Sequence, residues 1–326
     1  MIASFFSAFP VLYFRSFDIC PENRYNTSTN RLKGIGAPQA TFSEERFSMK
    51  FTKMHGCAND YIYVDGTKEP LANASELAIR YSDRHTGIGG DGLIVIRSGE
   101  RADFFMEMYN ADGSLGKMCG NGIRCVGKFV YDHRLTDKTE LTIDTPAGLR
   151  YLKLHVKDGA VDSVTVNMGH PSLNPADLPA LPEDKPDGIQ YRITSLGREW
   201  KYTPVSMGNP HAVIMVEETK NFPVRDVGEP IEKSATFPEG VNVEFVKKIS
   251  DREVSMRVWE RGSGETWACG TGACAVAYAC YRNGLTGPEV TVHLLGGDLQ
   301  IRYEESEDII YMTGPAVTVF EGTVDC

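Results

Sequence analysis

A chain of 326 residues is long for one hydrophobic core, so two domains or one doubled architecture is expected. Its 41% apolar and 24% charged residues are those of an ordinary globular protein, and no run of about 18 apolar residues offers a membrane span. A formal net charge of -10 argues against nucleic acid or an anionic membrane as partner, and eight cysteines are too sparse for a disulfide scaffold, which points to reduced thiols in the cytoplasm.

Residues 1–48 differ from the rest. Their opening, MIASFFSAFPVLYF, lacks the basic start and small-residue cleavage site of a secretory signal, and Asp18, Glu22, Glu44 and Glu45 argue against a transit peptide. The stretch reads as an extension, disordered or preceding a working start at Met49, and stands outside the fold. From Lys50 onward, strand composition bounded by Gly, Asn, Asp or Pro occurs at 61–66, 92–98, 102–110, 140–145, 149–156 and 163–169. Helical signals cover 74–85, with Ser75 as N-cap, and the run after Cys119. A proline-rich stretch, HPSLNPADLPALPEDKPDG, breaks this pattern, so residues 171–190 connect a first lobe (49–170) to a second (191–326).

The second lobe repeats the first. At an offset of 150, Met106 falls on Met256, Tyr109 on Trp259, Asn110 on Glu260, Cys119 on Cys269, Gly120 on Gly270 and Gly122 on Gly272. Even PAGLRY (146–151) falls on GGDLQI (296–301). The chain therefore reads as a tandem duplication, two α/β lobes about a pseudo-twofold.

Residues 117–130, KMCGNGIRCVGKFV, and 265–280, ETWACGTGACAVAYAC, each set a cysteine at the mouth of a small-residue helix. The first helical turn presents backbone N–H groups without intrahelical partners, together with partial positive charge. An anion sits well there, and a cysteine is expected to ionise more readily than a free one. Gly120, Gly122, Gly270 and Gly272 let backbone approach closely, and Asn121 and Thr271 add a donor or cap. Two such entrances facing one cleft would hold one carboxylate with a thiolate and a thiol beside it. That set suits removal of a proton from the carbon next to a carboxylate on one face and return of a proton on the other, which gives the duplication a chemical reason.

Other roles compete for these residues. A single cysteine between strand and helix is commonly core filler, but two in matched contexts are not so readily explained. The spacings C-x5-C and C-x4-C-x5-C lack the close pairs of structural zinc sites, and Cys125, Cys274 and Cys280 would lie inside helices, so no metal site is expected. A Cys119–Cys269 disulfide is expected only as an inactive oxidised form. GIGGDG (87–92) has the spacing of a dinucleotide fingerprint, but a helix precedes it and a strand follows, the reverse of the required order.

These residues resemble the diaminopimelate epimerase family. The resemblance covers residues 49–322 and rests on MHGCANDYIYVDG, RHTGIGGDGL, MYNADGS, MCGNGIRC, TPAG, GNPHAVI, GVNVEF and ERGSGETWACGTGA, in that order. It implies two pseudo-symmetric lobes, α/β (α+β), each a mostly antiparallel sheet wrapped around a central helix, with the active site between them and a homodimer as the assembly. It further implies that Cys119 and Cys269 are the acid–base pair interconverting L,L- and meso-diaminopimelate without pyridoxal phosphate, metal or other cofactor, Cys119 acting on the L,L form and Cys269 on the meso form. The α-carboxylate would lie on Gly120, Asn121, Gly270 and Thr271, and the other groups would be read by Asn59, Asn110, Asn209, Asn242, Glu260 and Arg261. Elementary chemistry agrees: Arg261 offers a fork for the far carboxylate, Glu260 accepts from an ammonium, and four asparagines supply donors and acceptors without net charge. His85 and His211 are expected to be structural, His211 supporting the loop of Asn209. Gly92 departs from members that carry glutamine there, so a side-chain contact is expected to be missing. The competing functions are a proline-racemase-like racemase of another amino acid and a thiol redox or metal-binding protein.

Overall fold

The computed structural model describes residues 48–182 and 186–325, so the expected extension lies, up to Ser48, outside the described residues. The first half runs β1 (Ser48–Gly56), β2 (Asn59–Asp65), α1 (Ala74–Ser82), β3 (Gly92–Ser98), β4 (Phe104–Asn110), β5 (Leu115–Gly116), α2 (Gly120–Asp132), β6 (Glu140–Asp144), β7 (Arg150–Lys157) and β8 (Ala160–Gly169). After β9 (Tyr191–Ser195) the same order returns as β10 (Arg198–Ser206), β11 (Pro210–Met215), α3 (Val224–Glu232), β12 (Asn242–Ser250), β13 (Glu253–Glu260), β14 (Gly264–Thr266), α4 (Gly270–Arg282), β15 (Glu289–Leu294), β16 (Gly297–Glu304) and β17 (Ile309–Pro315). β18 (Val317–Asp325) follows.

The ladders repeat pair for pair. β1 and β2 are antiparallel, β2 and β3 parallel, β3 and β4 antiparallel; β10, β11, β12 and β13 do the same. Tyr61 faces Gly92 as His211 faces Asn242, so the offset of 150 is structural. Beyond the helices it slips. Phe104 faces Ile143 where Val254 faces Val292, because α4 and β15 are joined by residues 283–288, one fewer than the 133–139 between α2 and β6. The expected match of 146–151 with 296–301 is thus one residue out of register.

Strand alternation gives each sheet two buried faces. Tyr61, Tyr63, Ile94 and Ile96 point inward to the cluster that holds Ile123, Val126 and Phe129 of α2, while Ile62, Val64, Leu93 and Val95 pack outward against α1. In the second half Val213 and Val246 face inward and Ala212, Ile214, Val243 and Phe245 pack against α3. Ala273, Val276 and Ala279 of α4 share the inner cluster with α2. Each half is therefore a mostly antiparallel sheet around a central helix, the architecture that the resemblance implied. The halves join where β8 pairs with β17, the Thr165 and Thr313 hydroxyls lying 2.7 Å apart. β18 then turns back to pair with β1, as β9 pairs with β10.

Local details differ from expectation. The N-cap of α1 is Asn73, at φ 55°, while the Ser75 hydroxyl donates to the Gly113 carbonyl at 2.7 Å. The proline-rich connection is partly packed: Pro175–Asp177 forms a 3-10 turn, and Leu178 and Ala180 join the outer core of the second half.

Candidate active site

α2 and α4 meet at their first residues. A Cβ on Gly120 would lie 3.8 Å from the Gly270 Cα, and one on Gly270 would lie 3.6 Å from the Gly120 Cα. Met312 lies against both, at 3.1 Å (Cε) and 3.2 Å (Sδ) from those Cβ positions, so glycine keeps this approach close. Cys119 and Cys269 stand immediately before that contact as N-caps, each extended, at φ -129° and -115°. Their sulfurs accept from the Gly122 amide at 3.3 Å and the Gly272 amide at 3.4 Å. A thiol here does what a serine or threonine oxygen does as an N-cap.

The second residue of each helix ties the entrance to its surroundings. Asn121 Nδ2 donates across to the carbonyl of Ala268, at 3.1 Å, one residue before Cys269. Its Oδ1 is buried and has no hydrogen-bond partner among the described residues. Thr271 Oγ1 lies 3.6 Å from Cys269 Sγ and accepts from Asn209 Nδ2 at 3.2 Å. Asn209 Oδ1 lies 3.0 Å from His211 Nε2, and His211 Nδ1 lies 2.6 Å from Glu244 Oε1. On the other side, Cys119 Sγ donates to Asn59 Oδ1 at 3.1 Å. Glu260 accepts from the Thr266 hydroxyl and hydrogen-bonds Cys269.

Both thiols are harder to ionise than their position at helix entrances led us to expect. Burial pushes Cys119 up, and the amides of Gly122 and Asn121 with the Arg124 charge offset only part of it. Burial, then the Glu260 and Glu244 carboxylates, push Cys269 well above the usual thiol range. Burial also raises Glu260, against the hydrogen bonds from Thr266 and Cys269. At both sulfurs, desolvation outweighs the helix dipoles.

The remaining expected residues divide. Asn242 is a clamp: Nδ2 donates to the Pro210 carbonyl and Oδ1 accepts from the Arg261 amide, both at 2.9 Å. That clamp fixes the backbone beside Glu260. The Arg261 guanidinium donates to the Glu239 carbonyl at 3.2 Å and lines an open cavity of about 670 Å³ with Glu232, Lys233 and Gly240, which neither cysteine lines. Asn110 donates to Ser114 Oγ at 2.9 Å and sits opposite Gly92 in the ladder. His85 is exposed, its amide donating to Asp83, and His211 supports Asn209, as expected. Cys125, Cys274 and Cys280 are fully buried helix residues. Sequence reasoning missed Glu244, although a carboxylate at an inward position of the run GVNVEFV is itself a signal.

Two helix entrances that meet on a doubled sheet define the class, a fold that solved structures share at low identity. A Bacillus anthracis phenazine biosynthesis protein of the PhzF family matches with TM-score 0.63 at 16% identity, over 86% of this chain and 100% of that one. A hydroxyproline epimerase from Agrobacterium vitis, with bound trans-4-hydroxy-L-proline, matches with TM-score 0.59 at 18% identity, over 85% of this chain and 91% of that one. The family model for diaminopimelate epimerase matches residues 51–174 and 203–319, and the chain belongs to the diaminopimelate epimerase family. Relatives named diaminopimelate epimerase include one from Agathobacter rectalis, 51% identical over 85% of this chain and 99% of its own, and one from Methanococcus maripaludis strain C5, 52% identical over 85% and 100%.

Proposed function

We propose that the chain interconverts L,L- and meso-2,6-diaminopimelate, in lysine and peptidoglycan precursor synthesis, by proton transfer through Cys119 and Cys269. The observation that carries this is the meeting of two thiol-capped helix N-termini at Gly120 and Gly270. The substrate α-carboxylate takes the amides of Gly120, Asn121, Gly270 and Thr271, where partial positive charge is fixed in advance. Its ammonium group lies near Glu260, offsetting the carboxylate charge that adds to burial in holding the Cys269 thiol up. One sulfur, as thiolate, takes the α-hydrogen and becomes a thiol. The other thiol gives its proton to the opposite face of the carbanion and becomes a thiolate, so one C–H bond breaks, one forms, and the centre inverts.

Asn59, Asn110, Asn209, Asn242, Glu260 and Arg261 read the rest of the substrate in this proposal, Asn242 by holding the Glu260–Arg261 backbone. Cys119 serves the L,L form and Cys269 the meso form, and no cofactor takes part. The proposal includes a homodimer, supported by exposed Val317, Val319 and Phe320 on β18, whose outer edge has no ladder partner among the described residues. It also sets the reaction in a reducing cytoplasm, supported by six free cysteines among the described residues.

The test is reduced protein with L,L-diaminopimelate in deuterated water, reading α-deuterium uptake and meso product. Wild type is expected to do both, and Cys119→Ala or Cys269→Ala to lose epimerisation by about a hundredfold or more. A wild type without turnover, or either variant with full turnover, would overturn it.

A further inference from the structure

The GIGGDG loop (87–92) carries, next to its last glycine, an aspartate that the mechanism above does not use. Asp91 Oδ2 accepts from Asn59 Nδ2 at 2.6 Å and from the Asp60 amide at 3.1 Å. Its Oδ1 accepts from Arg84 Nη2 at 2.9 Å, and Arg84 also forks onto Asp60 at 2.7 and 3.1 Å. Asp60 in turn pairs with buried Lys53 at 2.6 Å, whose ammonium also donates to the Gly89 carbonyl. The loop is thus pinned from both sides behind Asn59.

A carboxylate only accepts. Facing one, Asn59 must present its amide nitrogen, and its carbonyl oxygen is then the atom turned to Cys119, 3.1 Å from the sulfur. An oxygen acceptor at that distance is satisfied by a thiol and repelled by a thiolate. The second half lacks this device. Asn209 stands 150 residues after Asn59, but Val241, fully buried, stands 150 after Asp91. Asn209 instead gives its Nδ2 to Thr271, whose hydroxyl remains free to donate to Cys269.

We propose that Asp91 is a positioning residue that locks the Asn59 amide and thereby holds the proton on Cys119. The two sulfurs of a symmetric fold are in this way made unequal before substrate arrives. The inference rests on Cys119 being one of the two proton carriers. The groups facing Cys119 are Asn59 and the Tyr61 and Tyr63 hydroxyls of β2, Arg124 and Cys125 of α2, and Glu260 of β13. Of these, only Asn59 is oriented by Asp91.

The experiment is the rate of iodoacetamide alkylation of Cys119 against pH, read on its peptide by mass spectrometry in the folded full chain. In Asp91→Ala the amide is free to turn its nitrogen to the sulfur, and the Cys119 midpoint is expected to fall by about one pH unit, the worth of one net hydrogen bond. In Asp91→Asn the single carbonyl can serve either Arg84 or the Asn59 and Asp60 amides but not both sides at once, so the lock weakens and a smaller fall of the same sign is expected. Arg84→Ala loosens the loop without touching the amide and should leave the midpoint in place. Unmoved midpoints in either folded Asp91 variant, or an equal fall in Arg84→Ala, would show a merely structural aspartate and overturn the proposal. The titration needs no turnover, so a chain that failed to epimerise diaminopimelate would lose the functional assignment while the midpoints still decided this one.

Discussion

A side chain at position 92 has nowhere to go. Its Cβ would stand 2.0 Å from the Tyr109 carbonyl oxygen, 3.0 Å from the Tyr61 ring and 3.1 Å from the Asn110 Cα. The backbones of β3 and β4 approach more closely here than any other residue would allow, so glycine reflects a local steric demand as well as a missing contact. Gly92→Ala is expected to lower stability by about 1–3 kcal/mol, the usual cost of overpacking, and thermal unfolding measures it. An unchanged melting temperature would mean that the strands separate without cost. The cysteines, their glycines and Asn121 were legible because chemistry and spacing coincide in one short motif, given twice. Arg124 was not: an arginine in a helix reads as surface, yet this one is fully buried, donating to the carbonyls of Gly120 at 3.1 Å and Pro315 at 3.2 Å. The direction of Arg261, toward the Glu239 carbonyl, was not legible either, since nothing in a sequence tells which way a guanidinium turns.

The central helices carry their own pH limit. Burial lifts the Cys125 thiol of α2 to about 11 and those of Cys274 and Cys280 in α4 to about 12, from an ordinary value of 9.0. A raised folded-state value means that the unfolded chain loses these protons first. Stability from them is therefore complete below about pH 9 and declines as pH rises toward 11 and 12. Urea denaturation at rising pH is expected to show that decline above pH 9, and Cys274→Ala to flatten it, whatever its own cavity cost. An equal slope in the variant would exclude Cys274 as a source. The helices α2 and α4 were foreseen from small residues behind a cap, whereas α3 was not. Its sequence, VRDVGEPIE, carries a proline inside the helix, and only Val224, Val227, Gly228 and Ile231 are buried. Tertiary packing on the outer face of β11 and β12 decides that helix. The first strand escaped for a related reason, because Lys50 and Lys53 interrupt its apolar pattern, and Lys53 is buried with its ammonium taken by Asp60 and the Gly89 carbonyl.

At the scale of the molecule the duplication was the most legible feature, since a period of 150 survives in residues that fold and chemistry both constrain. What chain order hides is the exchange at its end. β18 leaves the second half and completes the sheet of the first, where Phe320 packs edge-on against Phe51 at 5.9 Å. The carbonyl of Asp325 accepts from the Tyr81 hydroxyl at 2.7 Å, and Glu321 lies 3.1 Å from Nε2 of His133, the C-cap of α2, so one strand ties α1 and the end of α2 to the edge at once. β1 also carries Lys53 and leads into Asn59, so support for the Cys119 side of the site runs through this edge. Removal of Val317–Asp325 is expected to leave the β1 backbone groups that face β18 unpaired and to cost hydrogen-exchange protection across Ser48–Asp65, while Pro210–Met215 and Asn242–Ser250 keep theirs. Epimerase activity is expected to fall with the protection of β2. If Ser48–Asp65 stayed protected in the shortened chain, the first half would be self-sufficient and the exchange of strands would not be what holds its cysteine in place.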